Sequence, residues 1–164
     1  MATRAQILVP VIIAAVIIGA VGVLSIPKES KLAAVNFPMG TVKIDDVTLE
    51  VQVAESDAQK TRGLMFQDEL PYSQGMIFVF DQEQVVPIWM LNMQFPLDII
   101  WFDGNGNVVH ISTNVPPCKS AVETATCAVD SGGGKMAKYV LEVTSGFVNK
   151  FNITYNSKLQ IISI

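Results

Sequence analysis

At 164 residues, half of them apolar and with a mean hydropathy of +0.40, the chain is long enough for one domain plus extras. A domain of that size buries about two-thirds of its unfolded surface, enough for a single core without metal or disulfide staples. Eleven basic against 15 acidic side chains give a formal net charge of −4, and with no basic run in the sequence this argues against a nucleic-acid partner.

Residues 1–5 are a short tail. From Gln6 to Ile26 the chain carries no charge and is almost entirely Ile, Val, Ala, Leu and Gly. Twenty helical residues span about 30 Å, the hydrocarbon thickness of a bilayer, so 6–26 is expected to be a transmembrane helix or signal anchor. The rival is a cleaved signal peptide, whose apolar region runs ~7–15 residues to a small-residue cleavage site. Here the run is longer and closes on Val23-Leu24-Ser25-Ile26-Pro27, which favours an uncleaved anchor. Residues 27–40 read as a tether to a domain over 41–164. Arg4 precedes the helix, and Lys28, Glu29 and Lys31 follow it, so the positive-inside signal is weak; the short tail favours a domain outside the cytoplasm.

Within the domain, Thr41–Ile44 and Val47–Val53 alternate apolar and polar around Asp45-Asp46, the pattern of a hairpin. Ser56 is placed to cap a short helix that Gly63 ends, turning Leu64, Met65 and Phe66 inward. Pro71 to Gly75 is a loop into a strand from Met76 to Phe80, and Asp81 to Gln84 is expected to turn the chain back. Trp89 to Met93, if extended, puts Trp89, Leu91 and Met93 on one face and Met90 and Asn92 on the other. Pro96 breaks any ladder there, and Leu97 to Phe102 is too apolar on both faces for a surface strand, so it should cross a core. Asp98 inside that wall must find donors or lie near a rim.

Asp103-Gly104-Asn105-Gly106-Asn107 places oxygen side chains at alternate positions, as part of a calcium loop would. The EF-hand pattern requires glycine where Val108 stands and a distal Glu, so the run is read as a glycine-rich hairpin turn into Val108–Ser112. Lys138–Val143 is a predicted strand, Ser145 a predicted cap for a helix through Phe151, and Lys158–Ile164 the closing strand.

Six short words occur in order: Arg62-Gly63-Leu64-Met65, Gly75-Met76-Ile77-Phe78-Val79-Phe80, Trp89-Met90-Leu91-Asn92, Pro96-Leu97-Asp98-Ile99, Pro116-Pro117-Cys118 and Tyr139-Val140-Leu141-Glu142-Val143. Through them roughly residues 40 to 164 resemble the family filed as domain of unknown function 192, a group of small, mostly exported prokaryotic domains. The resemblance implies a mainly β, sandwich-like or barrel-like domain, here with two short helices and one preceding transmembrane helix. It brings no established activity and no catalytic residues.

Cys118 and Cys127 are the two cysteines, and an even pair in a loop of an exported domain is expected to form a disulfide. Their spacing does not fit a zinc knuckle. Nucleophilic hydrolysis needs a base beside a Ser, Cys or Thr, yet the single histidine, His110, lies on a predicted strand, and no nucleophile elbow, P-loop or dinucleotide fingerprint is present. An Asp98–Asp103 acid pair is an alternative that sequence cannot measure. Met65, Met76, Met90 and Met93 suggest a soft-metal site for copper(I), against the plainer reading that methionine fills irregular cores. The sequence thus points to a non-catalytic, membrane-anchored extracytoplasmic binding or accessory module, with a small molecule, a polymer or a membrane protein as ligand. Copper binding and hydrolysis are the competing classes. The expected site is a concave, mostly apolar pocket of Met65, Trp89, Met90, Asn92, Asp98 and His110.

Overall fold

Alternation and a two-residue turn explain the first elements of the fold. In this computed structural model, which describes residues 35–118, 127 and 129–164, β1 (Met39–Ile44) and β2 (Val47–Ala54) pair antiparallel about Asp45, at φ +50. Helix α1 (Asp57–Arg62) begins at a capping box: the Gln59 amide donates to the Ser56 hydroxyl at 3.3 Å, and the Ser56 amide donates back to the Gln59 side chain at 2.9 Å. Gly63, at φ +47, ends it. The helix then carries the chain over to β3 (Gln74–Val85), which lies parallel to β2, as a crossover of this kind requires.

The remaining strands are β4 (Ile88–Trp89), β5 (Leu97–Phe102), β6 (Val108–Val115), β7 (Val129–Asp130), β8 (Met136–Thr144) and β9 (Leu159–Ser163); helix α2 (Phe147–Lys150) separates the last two. Seven of them form a single open sheet in the order β6-β5-β8-β3-β2-β1-β9, and β4 and β7 make a separate pair. The architecture is mainly β with two short helices. In place of a sandwich of two stacked sheets there is one sheet whose edge strands approach at their starts. An Asn107–Lys158 bridge links them, and the Leu159 amide donates to the Gly106 carbonyl at 2.8 Å. Gly106, at φ +80, leaves no room there for a side chain.

Both faces of the sheet are covered. One face holds Ile44, Leu49, Ile77, Ile100, Leu141 and Phe147; the other holds Met76, Phe78, Met93, Ile99, Trp101 and Val140. All six residues of β5 are buried, as its unbroken apolarity predicts.

Three local expectations are corrected. Asp81–Gln84 does not turn back: β3 runs through it with a shift of register against β8 between Val79 and Gln84. Trp89–Met93 does not continue as a strand: β4 and its pairing with β7 end at Trp89, and Asn92 then adopts φ +56. Ser145 does not cap α2; the N-cap is Gly146, and a carboxylate from β5 does the capping. The segment 6–26 lies outside the described residues, as does most of the tether. No helix among the described residues is long and apolar enough to cross a membrane.

Candidate functional site

Strand alternation points Val140 and Glu142 of β8 to one face of the sheet and Leu141 and Val143 to the other. Glu142 sits in the middle of the sheet, opposite Met76 of β3 and Ile99 of β5, with 4% of its surface exposed. Among the described residues nothing donates a hydrogen bond to its carboxyl. Burial in these apolar surroundings pushes its pKa up to about 8, so at neutral pH it is a protonated acid able to donate.

Glu142 lines a cavity of about 560 Å³, a volume in the range of small-molecule sites. Leu64, Phe78, Val86, Ile88 and Met93 make much of its apolar wall. Helix α1 forms the polar side. Its last residue, Arg62, stacks its guanidinium 5.0 Å from the Phe66 ring centre, and its Nη1 is buried without a hydrogen-bond partner. Lys60, two residues back, lies over the Phe80 ring at 4.7 Å. Arg62 and Glu142 do not form an ion pair with each other.

Two backbone ladders hold the wall from Ile88 to Asn92. Strand β7 pairs with Ile88 and Trp89 on one side. Cys118 bonds the next residues, donating to the Met90 carbonyl at 2.9 Å and accepting from the Asn92 amide at 2.9 Å. A disulfide joins Cys118 to Cys127, two positions before β7, and so ties the two ladders to each other covalently. The Asn92 carbonyl in turn accepts from the Phe66 amide at 3.1 Å, tying the wall to the residues after α1.

Of the six residues expected at the site, Met65 and Trp89 line this cavity, and Met90, Asn92, Asp98 and His110 do not. Met90 is core, 2% exposed. Asn92 is used for its left-handed backbone, which asparagine tolerates. Asp98 faces the opposite side of the sheet and accepts from the amides of Asn114 at 2.9 Å, Gly146 at 3.0 Å and Val148 at 2.9 Å. Asp103 accepts from the amides of Asn105 and Asn107 within its turn, and so is occupied apart from Asp98.

His110 packs edge-on against Trp101, its Nε2 3.2 Å from the Ser112 hydroxyl. That hydroxyl donates to Asp130, whose other oxygen accepts from the Gly132 amide at 2.9 Å. The serine proton is therefore engaged by the carboxylate and not by the imidazole, the reverse of a nucleophile poised beside its base. Met76, Met90 and Met93 are buried in the core, and no group of three His, Cys, Asp or Glu side chains among the described residues could hold a metal ion.

Arg62 and Glu142 were not singled out by sequence reasoning. The signal for Glu142 was present in Tyr139-Val140-Leu141-Glu142-Val143: an acid on the same strand face as a core valine.

A family model described as DUF192, uncharacterized ACR, matches residues 40–161. Among solved structures the chain is similar to a candidate transcription regulator from Sinorhizobium meliloti 1021, at 25% identity and a TM-score of 0.68, over 79% of this chain and 98% of that one. It is also similar to a protein of unknown function from Novosphingobium aromaticivorans DSM 12444, at 24% identity and a TM-score of 0.65, over 79% and 89% of the two chains. None of the curated proteins matches.

Proposed function

The chain belongs to the DUF192 family, and from that premise we propose that it is a binding module, tethered outside the cytoplasm by residues 6–26, whose ligand enters the cavity between α1 and the Ile88–Met93 wall. The observation that carries this reading is a deeply buried acid that receives no hydrogen bond from the described residues, and an arginine whose Nη1 is buried without a partner, both lining one largely apolar cavity. Leaving a buried polar group unpaired costs about 1–3 kcal/mol, so a chain that keeps such groups beside a concave apolar surface holds them ready for a ligand. Further support comes from the words through which the chain resembles its family. Arg62 to Met65, Phe78 and Phe80, Trp89, and Glu142 come from four of those words and meet at this cavity. The regulator description of the S. meliloti protein is not carried over, since the net charge here is −4 and no basic run is present.

The test is saturable binding of a neutral apolar dye, Nile red, to residues 36–164. A chain of this extent is a fair subject, because the S. meliloti protein is covered over 98% of its length by the matching part of this one and was crystallised as such. Expected are a blue-shifted emission saturating at one site per chain and its loss in Met65→Trp, which fills the cavity from a half-buried position. Binding that does not saturate, or that Met65→Trp leaves unchanged, would sink the reading.

A further inference from the structure

Among the described residues, the charged groups that line the cavity are few, and most come from one element. Asp57, Lys60 and Arg62 all belong to α1; the sheet contributes Glu142 alone, and the wall from Val85 to Met93 contributes none. On either side of Glu142 the neighbouring strands present Met76 and Ile99. With Glu142 protonated at neutral pH, two cations remain against one anion among the described lining residues. Both groups then have hydrogens to give: the unpaired Arg62 Nη1 and the protonated Glu142 carboxyl, which no described residue bonds. What would satisfy them is an acceptor, and the surplus positive charge favours an anionic one. A planar two-oxygen anion suits a guanidinium fork, and a carboxylic acid donating to a carboxylate makes a short, strong, charge-assisted bond. Apart from Thr61 and Gln84, the rest of the described lining, including Leu64, Phe78, Val86, Ile88 and Met93, is apolar and suits a hydrocarbon part.

Resting on the reading of the cavity as a binding site, we propose that its ligand is an amphipathic carboxylate, with the carboxylate accepted by Arg62 and Glu142 and the hydrocarbon part lying against the apolar wall. Glu142 then acts as a discriminating residue. Protonated, it donates to the ligand; ionised, it would repel it. Affinity for a carboxylate therefore falls as pH rises through about 8.

The experiment uses residues 36–164 and three probes of equal chain length, decanoate, decan-1-ol and decyltrimethylammonium, each titrated calorimetrically and by displacement of Nile red below pH 7. Decanoate is expected to bind at least about tenfold more tightly than the alcohol, the scale of a charged hydrogen bond. Arg62→Gln should bring decanoate down to the alcohol's affinity while leaving the alcohol unchanged. Wild type should lose decanoate affinity between pH 7 and pH 9, whereas Glu142→Gln, which keeps a donor but cannot ionise, should not. Equal or tighter binding of the alcohol or the ammonium, or indifference of decanoate to Arg62→Gln, overturns the carboxylate assignment. If Nile red binds and no probe displaces it, the assignment fails while the cavity reading survives. If Nile red itself does not bind, both fail.

Discussion

Asp98 and Glu142 are both acids buried in the middle of the sheet, on adjacent strands, and they are treated oppositely. Asp98 receives three backbone amides, including two from the first turn of α2, so its charge is solvated by the protein and serves as that helix's cap. Glu142 receives none among the described residues, and burial raises its pKa from 4.5 to about 8. Between those values the folded chain holds a proton that the unfolded chain has released. Stability is thus greatest below about pH 4.5 as far as this group is concerned, falls as pH rises, and levels off above about 8. By pH 7 the cost is on the order of 3 kcal/mol. Glu142→Gln should raise the urea midpoint of residues 36–164 relative to wild type at pH 8 and leave it nearly unchanged at pH 4. A difference that does not depend on pH would refute the burial of an ionisable carboxyl.

Among the elements, the Ile88–Asn92 wall has the least regular structure and the most elaborate support. Only Ile88 and Trp89 are strand, so the wall depends on Cys118 and on β7, which the Cys118–Cys127 disulfide ties together. A sequence separation of 9 gives a loop whose closure stabilises by about 2.7 kcal/mol in the chain-entropy model. Replacing both cysteines by serine should lower stability by about 2–3 kcal/mol. Hydrogen exchange should quicken at the Asn92 amide, which donates to Cys118, while Ile100 and Leu141 in the central strands stay protected. Unaltered exchange at Asn92 would mean that the wall stands without the bridge. The long β3 shows the converse case: Asp81–Gln84 looks like a turn by composition, yet pairing with β8 on the far side of an irregularity keeps it extended.

For the molecule as a whole, the domain and the apolar segment before it make separate claims. That a chain covered over 98% of its length by this domain crystallised from S. meliloti supports independent folding of residues 36–164. The proposed anchor rests on the uncharged run from Gln6 to Ile26. Intact-mass measurement of the protein from native membranes should find residues 1–26 present, and protease added to whole cells should reach the domain. A mature chain beginning near Pro27 would replace the anchor by a cleaved signal.

By itself the sequence determined what depends on near neighbours. The β1–β2 hairpin follows from alternation about Asp45-Asp46, α1 from Ser56 and Gly63, the buried β5 from six residues apolar on both faces but for Asp98, and the disulfide from a lone pair of cysteines in a loop. It also carried the family words. Tertiary structure alone decided which polar groups would be answered. Asp98 is paired because α2, whose amides come 48 and 50 residues later, returns to its side of the sheet. Glu142 receives no hydrogen bond from the described residues because the Val86–Met93 wall and α1 cover that side at a distance and leave a cavity between. Both acids read alike in one dimension, since a strand pattern gives the alternation of faces and not what each face meets; the path of the chain across the sheet makes one a helix cap and the other the floor of a cavity.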